Sequence, residues 1–293
     1  MKQRTITICV ASDNHYAILI VALLKSIDVN HHSGEHIDFY IIDDGIATDF
    51  PAKLAEIVDP ARITIKWIKS KEVVPQNISI PSDSSAFPLT AYMRVFSPFA
   101  ISEEVEKLIY LDVDILVQDD ISKLWNTDLG DYIVAAAQDS GKTVSCAWAG
   151  IPNYKELGLA ADTKYFNSGV LIINPKRWRD ENIALEVMNT LIKHRAHVQL
   201  ADQYGLNVVL VNRWLQLDQK WNWFAFMEDE KPYIIHFLDI KPIFKSYHSQ
   251  EVYKKEFYRY LSMTPWSGYK PQSDYKRLIR KFFNKLKKVI KRL

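Results

Sequence analysis

The segment Lys107 to Tyr132, KLIYLDVDILVQDDISKLWNTDLGDY, carries an apolar strand-like run that ends in Asp112-Val113-Asp114. In extended backbone, residues two apart point the same way, so the two carboxylates can converge on one cation. Hard oxygen ligands suit Mn²⁺ or Mg²⁺, and such an ion bridging two phosphate oxygens neutralises the charge that develops on a diphosphate leaving group. Asp-x-Asp also recurs in ordinary turns, so the pair takes its meaning from its surroundings.

The elements that would position it read as follows. Residues 6–11 form a strand, then a polar turn, Ser12-Asp13-Asn14-His15, leads into a largely buried helix over Tyr16 to Ile27, YAILIVALLKSI. That opening sets carboxylate and amide groups at a strand's carboxyl end, where open α/β sheets bind ligands. Further strands are expected over Ile37 to Ile42, Ile63 to Ile68, Lys107 to Leu111, Tyr132 to Ala137 and Phe166 to Ile173, with helical patterns between several of them. The alternation predicts an α/β fold with a mixed or mainly parallel sheet covered on both faces. Pro265, Gly268 and Pro271 punctuate the chain and mark the expected end of the globular body, dividing it into residues 1–265 and 266–293.

With 293 residues, 48% of them hydrophobic, the chain has enough apolar material for a sizeable core. Two cysteines, Cys9 and Cys146, are too few for a disulfide framework or a zinc ribbon and fit a reducing compartment. Neither a secretory h-region nor an apolar run long enough for a bilayer is evident, so a cytoplasmic location is expected. The formal charge of +2 hides an asymmetry. Tyr275 to Leu293 holds nine Lys/Arg and no Asp/Glu, which leaves 28 basic against 35 acidic residues elsewhere, or −7. A body this acidic is not a nucleic-acid binder.

In the tail, Leu278, Ile279, Phe282, Phe283, Leu286, Val289, Ile290 and Leu293 fall at helical three- and four-residue spacing, with Lys and Arg opposite. A basic amphipathic helix of this kind is expected to lie in the interface of an anionic membrane. Docking on the acidic body or binding nucleic acid as a basic arm are the alternatives.

The stretch YLDVDILVQDDISKLWNTDLGD, followed by FNSGVLIINPKRW at Phe166 to Trp178, resembles glycosyltransferase family 8, especially the bacterial α-galactosyl- and α-glucosyltransferases of lipopolysaccharide synthesis. VASDNHYA near the start, LADQYGLN at Leu200 to Asn207, KWNW at Lys220 to Trp223 and HFLDIKP at His236 to Pro242 extend the resemblance over roughly residues 5 to 245. It implies the GT-A fold, a Rossmann-like nucleotide-sugar-binding domain with the acceptor site on its second half.

Position by position, the resemblance implies that Asp112 and Asp114 bind Mn²⁺ together with His236, and that Val113 lies against the donor between them. Taken alone, His236 at the end of an apolar run reads as a hydrogen-bonded core histidine. Asp13 and Tyr16 match the uracil and ribose contacts, with Ala11 contributing backbone, although Asp13 also suits a helix N-cap. His15 departs from the family's asparagine. Arg94 matches the arginine facing the donor's diphosphate and sugar, where an isolated arginine would otherwise be read as paired with a nearby acid. Asp139, Asn167, Asp202 and Gln203 match positions around the transferred sugar, whose hydroxyls they can bind. Gly169 permits a close backbone approach or simply makes a turn. Lys241 resembles the lysine that meets the leaving diphosphate, but its spacing from His236 is one residue short, the motif's glycine is missing and Ile243 replaces its tryptophan.

The activity so implied is metal-dependent transfer of a hexose, with retention, from UDP-galactose or UDP-glucose to a saccharide acceptor. The acceptor is expected to be lipid-linked, at the inner face of the cell membrane, in lipopolysaccharide or other surface glycan synthesis. Glycogenin-type self-glucosylation and non-catalytic UDP-sugar binding are the alternatives. Retention is expected by same-face attack, with Asp202 and Gln203 the candidates for the far face if a double displacement operated instead.

Overall fold

The computed structural model describes residues 5–80, 89–228, 231–275 and 279. The basic amphipathic helix expected in the tail therefore lies outside the described residues. Seven strands form the main sheet: β1 (Thr5–Asp13), β2 (His36–Asp44), β3 (Ile63–Lys69), β4 (Leu108–Leu111), β6 (Val134–Thr143), β7 (Lys164–Ile173) and β8 (Trp214–Gln216), in the order β3-β2-β1-β4-β7-β6-β8. A smaller sheet holds β5 (Ile115–Val117), β10 (Ile234–His236) and β9 (Trp223–Phe224), in the order β5-β10-β9. The pairs β3-β2, β2-β1, β1-β4 and β6-β8 are parallel, whereas β7 runs antiparallel to both neighbours. The sheet is thus mixed, as the alternation of elements predicts.

Burial on both faces follows from the sequence. Ile6, Ile8 and Val10 of β1, Ile37, Phe39 and Ile41 of β2, and Ile109 and Leu111 of β4 join one apolar cluster. Their alternates Cys9, Ala11, Tyr40, Ile42, Leu108 and Tyr110 join another on the opposite face. A strand buried on both sides needs a near-continuous apolar run rather than alternation, and these strands have one. The helix Ala17–Asn30 is buried over almost its whole apolar length because the sheet covers one side and β5 with the helix Glu251–Ser262 covers the other. Ser26 Oγ accepts from the Val117 N–H at 2.9 Å, and Asn30 Nδ2 donates to the Tyr260 hydroxyl at 2.8 Å, so the few polar groups on that helix are satisfied where it is enclosed.

Several strand ends differ from the expected ranges, those of β6 and β7 among them. β6 runs on from its apolar half through Gln138-Asp139-Ser140-Gly141-Lys142-Thr143, with register shifts against β7. β7 begins at Lys164, two residues earlier than its apolar run. The added end of β6 is polar, so apolar patterning cannot see it, whereas the added start of β7 is the exposed Lys164 and the fully buried Tyr165. The packed body also continues through the Pro265–Pro271 punctuation. Trp266 and Tyr269 pack against the core, and the Gln272 N–H donates to the Ile243 carbonyl at 2.7 Å. Among the described residues no helix is long and apolar enough to cross a membrane.

Candidate active site

The chain leaves β3 and returns on the other side of β1 as β4, so the carboxyl ends of β1 and β4 flank a topological switch point. Asp112-Val113-Asp114 follows β4 there and is tied at both ends. The Asp112 N–H donates to the Gly169 carbonyl at 2.8 Å, extending the β4-β7 ladder by one bond, and the Asp114 carbonyl accepts from the Phe237 N–H at 2.9 Å. The acid pair therefore bridges the two sheets, while Val113 packs against the core. Antiparallel pairing sets His236 opposite Ile115, next to Asp114, although 122 residues of chain separate the histidine from that acid.

The structure brings Asp112, Asp114 and His236 together, with one ligand atom of each lying within 4.8 Å of the others. His236 Nε2 is 3.4 Å from Asp114 Oδ1 and 3.8 Å from Asp112 Oδ2. Its ring is buried, at 2% exposure, but not as an isolated core histidine. Gly169 provides the room: a Cβ there would lie 2.3 Å from His236 Cε1 and 3.0 Å from Asp112 Oδ2. Close approach rather than turn geometry is what this glycine supplies.

Arg94 is on the short helix Met93–Phe96, and its guanidinium is 3.0 Å from Asp112 Oδ1 and 2.8 Å from Asp202 Oδ2. It also donates to Ser168 Oγ at 2.8 Å and to the Ala91 carbonyl at 3.1 Å. Burial alone would depress its pKa, but Asp112 and Asp202 outweigh that and hold the cation firmly charged. The pairing with acids expected of an isolated arginine is present, yet it is buried inside the site. Lys241 reaches the second acid, with Nζ 2.5 Å from Asp114 Oδ2, and donates to the Phe237 and Leu238 carbonyls at 2.5 and 2.9 Å. The two carboxylates are consequently unequal. Burial pushes both up, but Lys241 and His236 carry Asp114 well below the usual range, whereas Asp112 stays raised despite Arg94 because Asp114's charge adds to burial.

Asp139, Asn167 and Gln203 form the adjoining polar wall, each nine-tenths or more buried. Asp139 accepts from Asn167 Nδ2 at 2.9 Å, from Gln203 Nε2 at 3.3 Å and from the Gly141 N–H at 2.9 Å. Gln203 Oε1 accepts from the Ser168 N–H at 3.1 Å. The helix Ala201–Val209, which carries Asp202 and Gln203, is clamped to β7 by Asn207: its Oδ1 accepts from the Phe166 N–H at 2.8 Å and its Nδ2 donates to the Phe166 carbonyl at 2.9 Å. Ala11, Asp13 and Tyr16 form a further group at the end of β1. Cys9 pairs with Tyr110, so Ala11 and Asp112 each lie two residues further toward the same end. Asp13 Oδ1 accepts from the His15 and Tyr16 N–H groups at 2.8 and 3.1 Å, which builds the turn into the helix, although the formal cap position is Tyr16. His15 packs edge-on to Tyr16 and against Phe244, so the residue that departs from the family pattern helps hold the tyrosine ring.

Sequence reasoning assigned no role to Ser168, Asn207 or Asn222. Asn222 is fully buried and bonds both Asn167 and His236. Its signal was a lone amide among aromatic residues in KWNW, a buried polar group that requires partners.

The chemistry of the donor set suits a divalent cation. Counted formally, four acids (Asp112, Asp114, Asp139 and Asp202) against two bases (Arg94 and Lys241) give this cluster a net charge of −2. Asp112, Asp114 and His236 offer a mixed oxygen and nitrogen set of the kind Mn²⁺ accepts.

The sequence model of glycosyl transferase family 8 matches residues 7–271. The chain belongs to that family. General stress protein A of Bacillus subtilis (strain 168) is 29% identical over 287 residues, covering 91% of this chain and 96% of that protein. The lipopolysaccharide 1,2-glucosyltransferase of Escherichia coli (strain K12) is 26% identical over 189 residues, 64% of this chain and 53% of the enzyme. Several other relatives are longer, and the chain spans 63% of a putative glycosyltransferase of Haemophilus influenzae. Among solved structures, the galactosyltransferase LgtC in complex with donor and acceptor sugar analogues aligns with a TM-score of 0.73 at 24% identity, covering 89% of this chain and 96% of LgtC. That likeness shows the fold, which is GT-A. This family 8 member is a glycosyltransferase.

Proposed function

We propose that the chain transfers a hexose, galactose or glucose, from its UDP-sugar to a saccharide acceptor with retention of configuration. The observation that carries this reading is the convergence of Asp112, Asp114 and His236 beside Arg94 and Lys241, at the switch point of a family 8 fold. Asp112, Asp114 and His236 would hold Mn²⁺ or Mg²⁺, which when bound supplies positive charge to a diphosphate. Ala11, Asp13 and Tyr16 at the end of β1 take the uridine, with the tyrosine ring available to stack on uracil. Arg94 and Lys241 bind the diphosphate oxygens as the bond to the anomeric carbon lengthens, and fixed cations in a half-buried crevice are worth more than the same charges in water. Asp139, Asn167 and Gln203 take hexose hydroxyls and so set sugar choice.

Same-face attack is favoured. Asp202 is ion-paired to Arg94, and the Gln203 carbonyl accepts from both the Ser168 N–H and hydroxyl, which lowers its nucleophilicity. In that scheme the acceptor oxygen bonds the anomeric carbon as the phosphate oxygen leaves, and the departing phosphate takes the acceptor's proton. The Escherichia coli relative supports a lipopolysaccharide or related surface glycan as the product, and the basic tail supports a lipid-linked acceptor at the inner membrane face.

Screening UDP-sugars for Mn²⁺-dependent UDP release, with and without saccharide acceptors, tests the assignment. UDP-galactose or UDP-glucose should be consumed, and Asp114→Ala should abolish the signal. Release that is indifferent to both metal and this substitution would overturn it, and a covalent sugar trapped on Asp202 or Gln203 would replace same-face attack with double displacement.

A further inference from the structure

Asn222 lies at the end of the 3₁₀ turn Gln219–Asn222, just before β9, and is fully buried. It connects two groups that the proposed function treats separately. Asn222 Nδ2 donates to Asn167 Oδ1 at 2.9 Å, and Asn222 Oδ1 is 2.8 Å from His236 Nδ1. Asn167 Nδ2 in turn donates to Asp139 Oδ2 at 2.9 Å. An unbroken chain of side-chain hydrogen bonds thus runs from the sugar wall to the histidine beside the acid pair.

The direction of every bond in this chain is determined. A backbone N–H can only donate, and the Gly169 N–H points at Asn167 Oδ1 at 3.0 Å, so that atom is the carbonyl oxygen. A carboxylate such as Asp139 accepts, which independently places the Asn167 amide nitrogen on its other side. Asn222 must then present its nitrogen to Asn167 and its oxygen to His236. Facing an oxygen, His236 Nδ1 must carry hydrogen, which leaves Nε2 as the ring nitrogen directed toward Asp112 and Asp114.

We infer that Asn222 is a positioning residue: it fixes the tautomer and orientation of His236 for metal ligation and couples that ligand to the sugar-binding wall through Asn167. The inference rests on the proposed metal site and adds to it the residue that makes His236 a ligand. Histidine ligands characteristically donate their second N–H to an outer partner, whose loss weakens metal binding by about 10- to 100-fold. Here the outer partner is an amide with a second duty. A carboxylate at position 222 would still accept from Nδ1–H but would set oxygen against the Asn167 oxygen, loosening the sugar wall while keeping the metal ligand.

The test is Mn²⁺ binding followed by electron paramagnetic resonance in the presence of UDP, with electron spin-echo modulation to detect nitrogen coupled to the ion. UDP-sugar hydrolysis kinetics are measured on the same proteins. Wild type should show the histidine nitrogen. Asn222→Leu should lose that coupling and weaken Mn²⁺ by about 10- to 100-fold. Asn222→Asp should retain the coupling and bind Mn²⁺ within a few-fold of wild type, yet show a donor KM raised about tenfold by loss of a buried hydrogen bond. Unchanged coupling and affinity in Asn222→Leu would overturn the inference and leave the metal site standing. Absence of coupled nitrogen in wild type would remove His236 from the metal site and overturn both. If Asn222→Leu does not fold, the near-isosteric Asn222→Asp decides alone: coupling lost, or KM unchanged, overturns the inference.

Discussion

Gly169→Ala is the sharpest single perturbation of this site. Gly169 does not have a left-handed φ, so an alanine meets no backbone strain and its whole cost is steric. The new Cβ would stand 2.3 Å from His236 Cε1, 2.9 Å from Nδ1 and 3.0 Å from Asp112 Oδ2. Unstrained carbon contacts need about 3.5 Å, so the imidazole must retreat by about 1 Å. It is held against that retreat by the 2.8 Å bond to Asn222 and by the pairing of β10 with β5 and β9. Overpacking of this size costs about 1–3 kcal/mol, and a group displaced by about 1 Å costs about 100-fold in turnover. Urea unfolding and Mn²⁺-dependent UDP release measure the two effects separately. Gly268→Ala is the matched control, since nothing lies within 4 Å of its added Cβ, and it should change stability by no more than about 0.5 kcal/mol. A Gly169→Ala protein with wild-type stability and turnover would refute the reasoning, because the ring could then not be where this packing puts it.

Other outcomes follow from the same structure. Mn²⁺ with UDP at about 100 times their dissociation constant should stabilise the wild type by about 2.7 kcal/mol, and Asp114→Asn should remove most of that increment in a thermal-shift assay; an unchanged increment would exclude Asp114 as a ligand. Arg94→Lys keeps the charge but cannot span Asp112, Asp202 and Ser168, so it should cost about 3 kcal/mol in denaturant unfolding, and a loss below about 1 kcal/mol would contradict the buried network. Asp120 caps the helix Ile121–Trp125 and accepts from the Ser122, His32 and Ser33 N–H groups. Burial raises its pKa, but the Ser122 and His32 bonds outweigh that and hold it below the usual carboxylate range. Its contribution is therefore present above about pH 4 and is lost as the pH falls through the lower folded value. Asp120→Asn should accordingly cost about 2 kcal/mol at pH 7, with the gap to wild type closing in acid, and a gap independent of pH would count against this. Truncation after Tyr275 spares the packing of Gln272 and should release the protein from anionic vesicles while UDP-sugar hydrolysis persists; undiminished cosedimentation would reject the membrane role of the tail.

Local patterning was enough to read the α/β class, the parallel strands on the amino-terminal side and the first helix. Those features rest on apolar runs and turn residues, whose physics acts within a few residues. The acid pair was legible because its two-residue spacing is local, although the structure sets Val113 and Asp114 in a bend between β4 and β5 rather than in extended strand. The end of β6 from Gln138 to Thr143 escaped because it lacks the apolar signal that marks a buried strand. Ser168, Asn207 and Asn222 escaped because a buried amide or hydroxyl declares its purpose only through its partners, and those come from strands and helices far apart in sequence. His236 shows the division most clearly. By itself it was a histidine at the end of an apolar run. The register of β10 on β5, the missing side chain at Gly169 and the amide of Asn222 together aim one of its nitrogens at two aspartates. Composition and spacing determined which groups were available; only long-range strand pairing could decide which of them meet, because hydrogen-bond direction and steric room exist only between residues already in contact.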